Sequence, residues 1–281
     1  MFSVRTVESL DHPELEPYRS MRQQVDHHDQ GIFVAEGEKV VRRLLASKLT
    51  VISLLLPPKW LESFQPSLEA RQEATQVFLA EKQILESLTG FSMYQGILAL
   101  ARVPKSLLLQ TILDQAEKPL FLAAVDALSS AENLGGLVRN CVAFGIHALL
   151  VGETSASPYL RRAVRSSMGT VFQLPIVETL CLADAIREMR SQKVRCIAAH
   201  PHADRKVLSQ SDLGSDCCVV FGSEGHGISP RVLEACDEAV AIPMASGVDS
   251  LNVGSASAVF LYEANRQRAS IGRTKGSRIQ S

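Results

Sequence analysis

Apolar positions along this chain fall into short continuous runs separated by stretches of helical period, and the alternation occurs twice. In the first set, residues 32–35 read as a strand, 36–46 as an amphipathic helix and 51–56 as a buried strand halted by Pro57 and Pro58. Residues 77–80 and 96–103 predict two more strands, with helical 81–88 between them. Residues 1–30 are polar, with helix expected at 18–25. Residues 1–105 are therefore expected to form a small α/β sandwich domain. Residues 106–118 are expected to be a linker, although 107–116 has some helical character.

The second set is longer. Strands are expected at 120–125, 147–151, 172–177, 194–199, 217–221 and 238–242, and helices at 134–144, 159–167, 183–191, 230–236 and 251–266. Strand and helix in strict alternation imply a mostly parallel sheet covered on both faces, so residues 119–265 predict an α/β domain. Ligands of such sheets sit beyond the carboxyl ends of the strands, which directs attention to the loops there. Residues 266–281 carry Arg266, Arg268, Arg273, Lys275 and Arg278 without an acid, and read as a mobile basic tail able to touch phosphate.

Composition narrows the picture. Twenty-nine basic against thirty acidic residues give a formal charge of -1, so any nucleic-acid contact must come from local patches. Aromatic residues make up 5%, too few for a binder built on stacked aromatic platforms. The six cysteines form no CxxC pair and read as reduced, mostly buried thiols of a cytoplasmic protein. The opening segment is too polar for a signal peptide, and no apolar run has the length of a membrane span.

Three loops carry candidate chemistry. After strand 120–125 comes NLGGLVRNCVAFG, where Asn133 is placed to cap a helix, Gly135 and Gly136 allow close approach, and Arg139 can project back toward the helix start. After strand 217–221 comes GSEGHGIS, with the order GxxGxG, the reverse of the dinucleotide fingerprint. Its Glu224 is a carboxylate with few structural duties inside a glycine turn. After strand 238–242 comes IPMASGVDSLNVGSASA, where Ser250 and Asn252 stand before a helix rich in small residues. Each loop also has a plain structural reading as a helix cap or tight turn. His200 and His202 could suggest a metal pair, but without a third ligand they read as a surface loop, and no metal is expected.

Together and in this order, NLGGLVRNCVAFG, VVFGSEGHGIS and IPMASGVDSLNVGSASAVFLYEA resemble the three motifs of the SpoU family, RNA 2'-O-ribose methyltransferases of the SPOUT superfamily. The intervening YLRRAVRSSMGTVFQLPI is similar as well, so the resemblance spans 119–265. GIFVAEGEKVVRRLLAS and GFSMYQGILALARV resemble the L7Ae/L30e-like RNA-binding domain that often precedes this catalytic domain. The resemblance implies a parallel sheet with a deep trefoil knot and a bent S-adenosylmethionine. It places the cofactor against Gly222, Gly227, Ile242, Met244 and Leu251, and the catalytic shell at Asn133, Arg139, Glu224, Ser250 and Asn252. It also implies a homodimer. RNA phosphate contacts would fall at Arg161, Arg162 and Arg165, with rRNA a better fit than tRNA and no DNA or membrane partner. Arginine stays protonated at ordinary pH, so Arg139 is expected to grip phosphate rather than act as the base. The chain departs from the family pattern at Asn140, at Ser130-Ala131-Glu132 and at Gly254, which touches the substrate assignment more than the chemistry. Two other readings compete: an RNA binder that keeps the fold without transfer, and a nucleotide-dependent oxidoreductase using the 222–227 turn.

Overall fold

In the computed structural model, residues 2–23, 27, 29–89, 96–201 and 206–276 are described. The chain divides into two compact units, Met1–Lys105 with Pro158–Gln173, and Ser106–Ser157 with Leu174–Ser281.

The first unit is built on a five-stranded mixed sheet. In chain order its elements are β1 (Phe2–Thr6), α1 (Glu16–Arg19), β2 (Ile32–Glu36), α2 (Glu38–Ala46), β3 (Val51–Leu56), α3 (Leu61–Glu69), β4 (Thr75–Leu79), α4 (Lys82–Thr89) and β5 (Leu98–Arg102). The strand order is β1-β4-β3-β5-β2, with β5 antiparallel to both neighbours. Helix α2 forms because Val40, Val41, Leu44 and Leu45 fall on one face and are buried. Two elements escape the sequence pattern. Strand β1 is a largely exposed edge whose residues FSVRT carry no apolar run, and α3 contains Pro66. The helix expected at 18–25 is shorter and earlier, and Val25 lies outside the described residues.

The second unit holds a six-stranded, wholly parallel sheet. Its elements begin with α5 (Leu109–Gln115), β6 (Phe121–Val125), α6 (Ala131–Ala143) and β7 (Ala148–Val151). The chain next forms α7 (Arg161–Ser166), which belongs to the first unit and packs on β2. It then continues through β8 (Ile176–Glu178), α8 (Leu182–Ser191), β9 (Arg195–Ala199), β10 (Cys217–Phe221), α9 (Pro230–Ala235), β11 (Glu238–Val240) and α10 (Val253–Gly276). The order β11-β9-β10-β6-β7-β8 places β10 and β6 at the centre, and every residue of both strands is buried. Apolar residues on both faces are what a parallel strand sandwiched between helix layers requires.

Three expectations need correction here. The strand expected at 172–177 starts later, because Thr170–Gln173 closes a 3-10 turn inside the first unit. The segment 106–118 contains α5, whose Leu109, Ile112 and Leu113 join the core of the second unit. The basic segment after residue 265 is helical through Gly276, and two of its arginines are engaged: Arg266 pairs with Glu263. Arg268 donates to the carbonyls of Leu213, Pro119, Leu120 and Ser215 and lies over the Phe121 ring. The side chains of Arg273 and Lys275, and all of Arg278, lie outside the described residues.

Candidate functional site

The site is assembled at the carboxyl ends of β6, β9, β10 and β11. Strand β6 is followed by Asp126, a buried carboxylate after five buried apolar residues. Its Oδ2 accepts from the amide of Ser229 at 2.7 Å, and its own amide donates to Phe221 at 2.8 Å. Asp126 therefore fixes the far end of the glycine loop to the neighbouring strand. Ala127 follows with φ of 53°, a left-handed conformation a non-glycine residue seldom adopts. Asp126 was not among the candidates, and the signal was an acid directly after the most apolar strand of the chain.

Helix α6 starts three residues earlier than expected. Ser130 is its N-cap and accepts from the amide of Asn133 at 3.3 Å. Asn133 is thus the third helical residue and not the cap, which corrects the expectation and leaves its amide side chain available. Gly135 and Gly136 lie inside the helix and not in a loop.

The loop after β10 is a tight hairpin in which Ser223 and Gly227 exchange two backbone hydrogen bonds of 2.9 and 3.0 Å. Gly227 has φ of 68°. A side chain at Gly222 would collide with the backbone of Gly227 and Ile228, so only glycine permits the turn to close on the strand. Glu224 projects from this hairpin and accepts from Asn133 Nδ2. Asn252, just before α10, donates from Nδ2 to Asn133 Oδ1 at 3.0 Å and accepts from the Gly254 amide at 2.9 Å. The three loops are thereby joined in one directional chain, from the Gly254 amide through Asn252 and Asn133 to the Glu224 carboxylate. Each amide orientation is fixed by its neighbours.

Beside this chain lies a cavity of about 500 Å3. It is lined by Ala199, His200 and Pro201 after β9, by 221–227, by Ile242 and Met244, by Asp249, Ser250 and Leu251, and by Val253, Ala256 and Phe260 of α10. All five residues expected at the cofactor, Gly222, Gly227, Ile242, Met244 and Leu251, line it, as do Glu224 and Ser250. Asn133 and Asn252 reach it through Glu224. His200, expected on a plain surface loop, is part of the wall, and His202 lies outside the described residues. Arg139 is exposed, is not part of the wall, and makes no hydrogen bond or ion pair to the described residues.

Of the arginines of α7, Arg161 is less accessible than expected. Arg161 is nearly buried and bridges to Glu36, which also receives Arg165 at 3.3 Å. The Arg161 side chain is thus largely covered and paired within the first unit, whereas the Arg165 side chain is 61% exposed.

A wholly parallel sheet with a glycine-walled cavity beyond its strand ends defines an α/β enzyme domain that binds a small cofactor. The model of the SpoU rRNA Methylase family matches residues 121–262, and the chain belongs to that family. It is 32% identical over 195 residues to the 23S rRNA (guanosine-2'-O-)-methyltransferase RlmB of Photorhabdus laumondii, covering 68% of this chain and 79% of that one. It is 28% identical to an uncharacterised tRNA/rRNA methyltransferase of Mycobacterium bovis, covering 96% and 94%. Among solved structures it is similar to the AdoMet-bound rRNA methyltransferase of Sinorhizobium meliloti, with TM-score 0.80, 23% identity and coverage of 94% and 98%. It is also similar to the SpoU methyltransferase AviRb of Streptomyces viridochromogenes, with TM-score 0.79, 24% identity and coverage of 92% and 100%.

Proposed function

We propose that this protein transfers a methyl group from S-adenosylmethionine to a ribose 2'-hydroxyl of ribosomal RNA. The observation that carries this reading is the meeting of all three loops at one cavity, joined through Asn133, Glu224 and Asn252. The cavity fits the cofactor. Its volume falls in the range of roughly 300–1,000 Å3 typical of small-molecule sites. Gly222 leaves backbone open to contact, and Ile242, Met244 and Leu251 offer an apolar slot. Leu251 is 38% exposed, an apolar side chain that a bound adenine would cover.

S-adenosylmethionine supplies an electrophilic methyl on a sulfonium. The chain does the rest. The ribose oxygen must be brought in line with that methyl, and positioning of this kind supplies much of the acceleration. Arg139, permanently charged and without a partner among the described residues, holds the adjacent phosphate and stabilises charge developing on the oxygen. Glu224 has one carboxylate oxygen engaged by Asn133, which leaves the other to accept the hydroxyl proton. Ser250 and Asn252 complete the polar edge. Arg162 and Arg165 remain as candidates for phosphate contact, and the first unit is read as the L30e-like substrate domain. The trefoil knot comes with the family assignment.

We read the active protein as a homodimer. Val259 and Tyr262 of α10 are 39% and 59% exposed, and Phe144 lies edge-on to Tyr262, an apolar surface suited to a second copy. No helix among the described residues is long and apolar enough to cross a membrane, and cytoplasmic action on RNA is the matching proposal. The reading is tested by transfer from labelled S-adenosylmethionine to unmodified rRNA and tRNA transcripts, followed by alkaline hydrolysis. Label in alkali-resistant dinucleotides from rRNA is expected, and Arg139→Ala should bind cofactor but transfer nothing. Label on bases, or on tRNA alone, would overturn the assignment.

A further inference from the structure

Helices α6 and α10 are tied together a second time, away from the Asn133–Asn252 pair. Asn140 donates both protons of its amide nitrogen into the first turn of α10: one to the Gly254 carbonyl at 2.7 Å, the other to Ser257 Oγ at 2.9 Å. Ser257 is fully buried, and its hydroxyl donates in turn to the Gly254 carbonyl at 2.8 Å. The three groups form a closed triangle in which every donor has an acceptor. Two residues of that same turn, Val253 and Ala256, are cavity wall, and Asn252 immediately precedes it. Residue 140 follows Arg139 on α6, so its amide sits between the helix carrying the phosphate-binding arginine and the turn facing the cofactor.

We propose that Asn140 is a positioning residue for methyl transfer, holding α6 in register with the first turn of α10 so that Arg139 and Asn133 address the cavity correctly. The inference rests on the methyltransferase reading. It does not make Asn140 touch substrate. The contact is part-buried and aimed at one carbonyl and one hydroxyl of the cavity-bearing turn. Displacement of about 1 Å at such a place can cost about a hundredfold in rate.

The test uses the full chain and compares wild type with Asn140→Asp, Asn140→Thr and Arg139→Ala. Asn140→Asp keeps the shape, removes both donors and sets a carboxylate against the Gly254 carbonyl. Asn140→Thr restores one hydroxyl donor. The expected result is a fall in kcat of ten- to a hundredfold for the aspartate variant, with cofactor KM changed less than threefold and partial recovery of kcat with threonine. Arg139→Ala is the reference that binds cofactor without transfer. A lowered melting temperature and weakened cofactor binding, with unchanged kcat per folded molecule, would overturn the proposal and make Asn140 purely structural. Unchanged kcat in both Asn140 variants would also overturn it while leaving the methyltransferase reading intact. Wild type that binds cofactor but labels no RNA would instead defeat the reading on which it rests.

Discussion

At the scale of single residues, the site depends on atoms that must be absent as much as on those present. A methyl at Gly222 has no room, since the backbone of Gly227 and Ile228 occupies that space. Gly222→Ala is expected to open the hairpin and cost about 1–3 kcal/mol in stability, typical of overpacking, with cofactor binding lost. Calorimetry and a cofactor titration check both. His147 offers a different handle. Its Nδ1 accepts from the Phe121 amide at 3.0 Å, which requires an unprotonated nitrogen. Partial burial, helped by the nearby Arg268 guanidinium and opposed by Glu117 and Asp216, holds its pKa below the ordinary 6.5. The folded chain therefore resists a proton that the unfolded chain accepts. The contribution of His147 is complete above pH 6.5 and declines as pH falls from there toward the lower folded value. His147→Gln is expected to flatten the pH dependence of the melting temperature on the acid side of neutrality. An unchanged slope would remove His147 from the explanation.

Elements bring out a second contrast, between what apolar pattern reveals and what hydrogen bonding decides. The C-terminal helix α10 is long, and its basic composition suggests a loose tail. Instead, Arg268 spreads its guanidinium over four backbone carbonyls near the starts of β6 and β10. These carbonyls precede the two central strands, so the arginine anchors the helix to the base of the sheet. Arg268→Ala is expected to destabilise by about 2–3 kcal/mol, the scale of charge-assisted hydrogen bonds. Arg268→Lys should recover only part of that, because an ammonium cannot reproduce the planar fork. Thermal or denaturant unfolding of the three proteins gives the comparison. Strands β3 and β10 were legible to the residue because a continuous apolar run marks a strand buried on both faces. The edge strand β1 was not, because exposure removes the pattern. Gly222, Glu224 and the cavity-lining apolar residues were legible through motif order. Asn133 as cap was not: a serine three residues earlier competes for the same role, and Ser130 holds it. The burial of Arg161 was equally hidden, since its partner Glu36 is 125 residues away.

On the scale of the whole molecule, the backbone passes between the two compact units three times, at 105/106, 157/158 and 173/174. Sequence proximity assigns residues 158–173 to the methyltransferase segment, yet their packing is with the first unit. Tyr159 and Phe172 stack near Phe33 at 5.4 and 5.6 Å, Arg161 meets Glu36, and Arg43 donates to the Met168 carbonyl. A fragment beginning at residue 106 would retain every residue of the cavity and lose every one of these partners. It would then expose two aromatic rings and leave the mostly desolvated Arg161 without its carboxylate, a combination that costs several kcal/mol and promotes association. The expectation is that fragment 106–281 melts well below the full chain and aggregates on size-exclusion chromatography. Adding Tyr159→Ser, Arg161→Gln and Phe172→Ser to the fragment should restore a monodisperse protein that binds S-adenosylmethionine. If the unaltered fragment is as stable and monodisperse as the full chain, segment 158–173 does not depend on the first unit, and the division into units described above is a feature of packing without energetic weight.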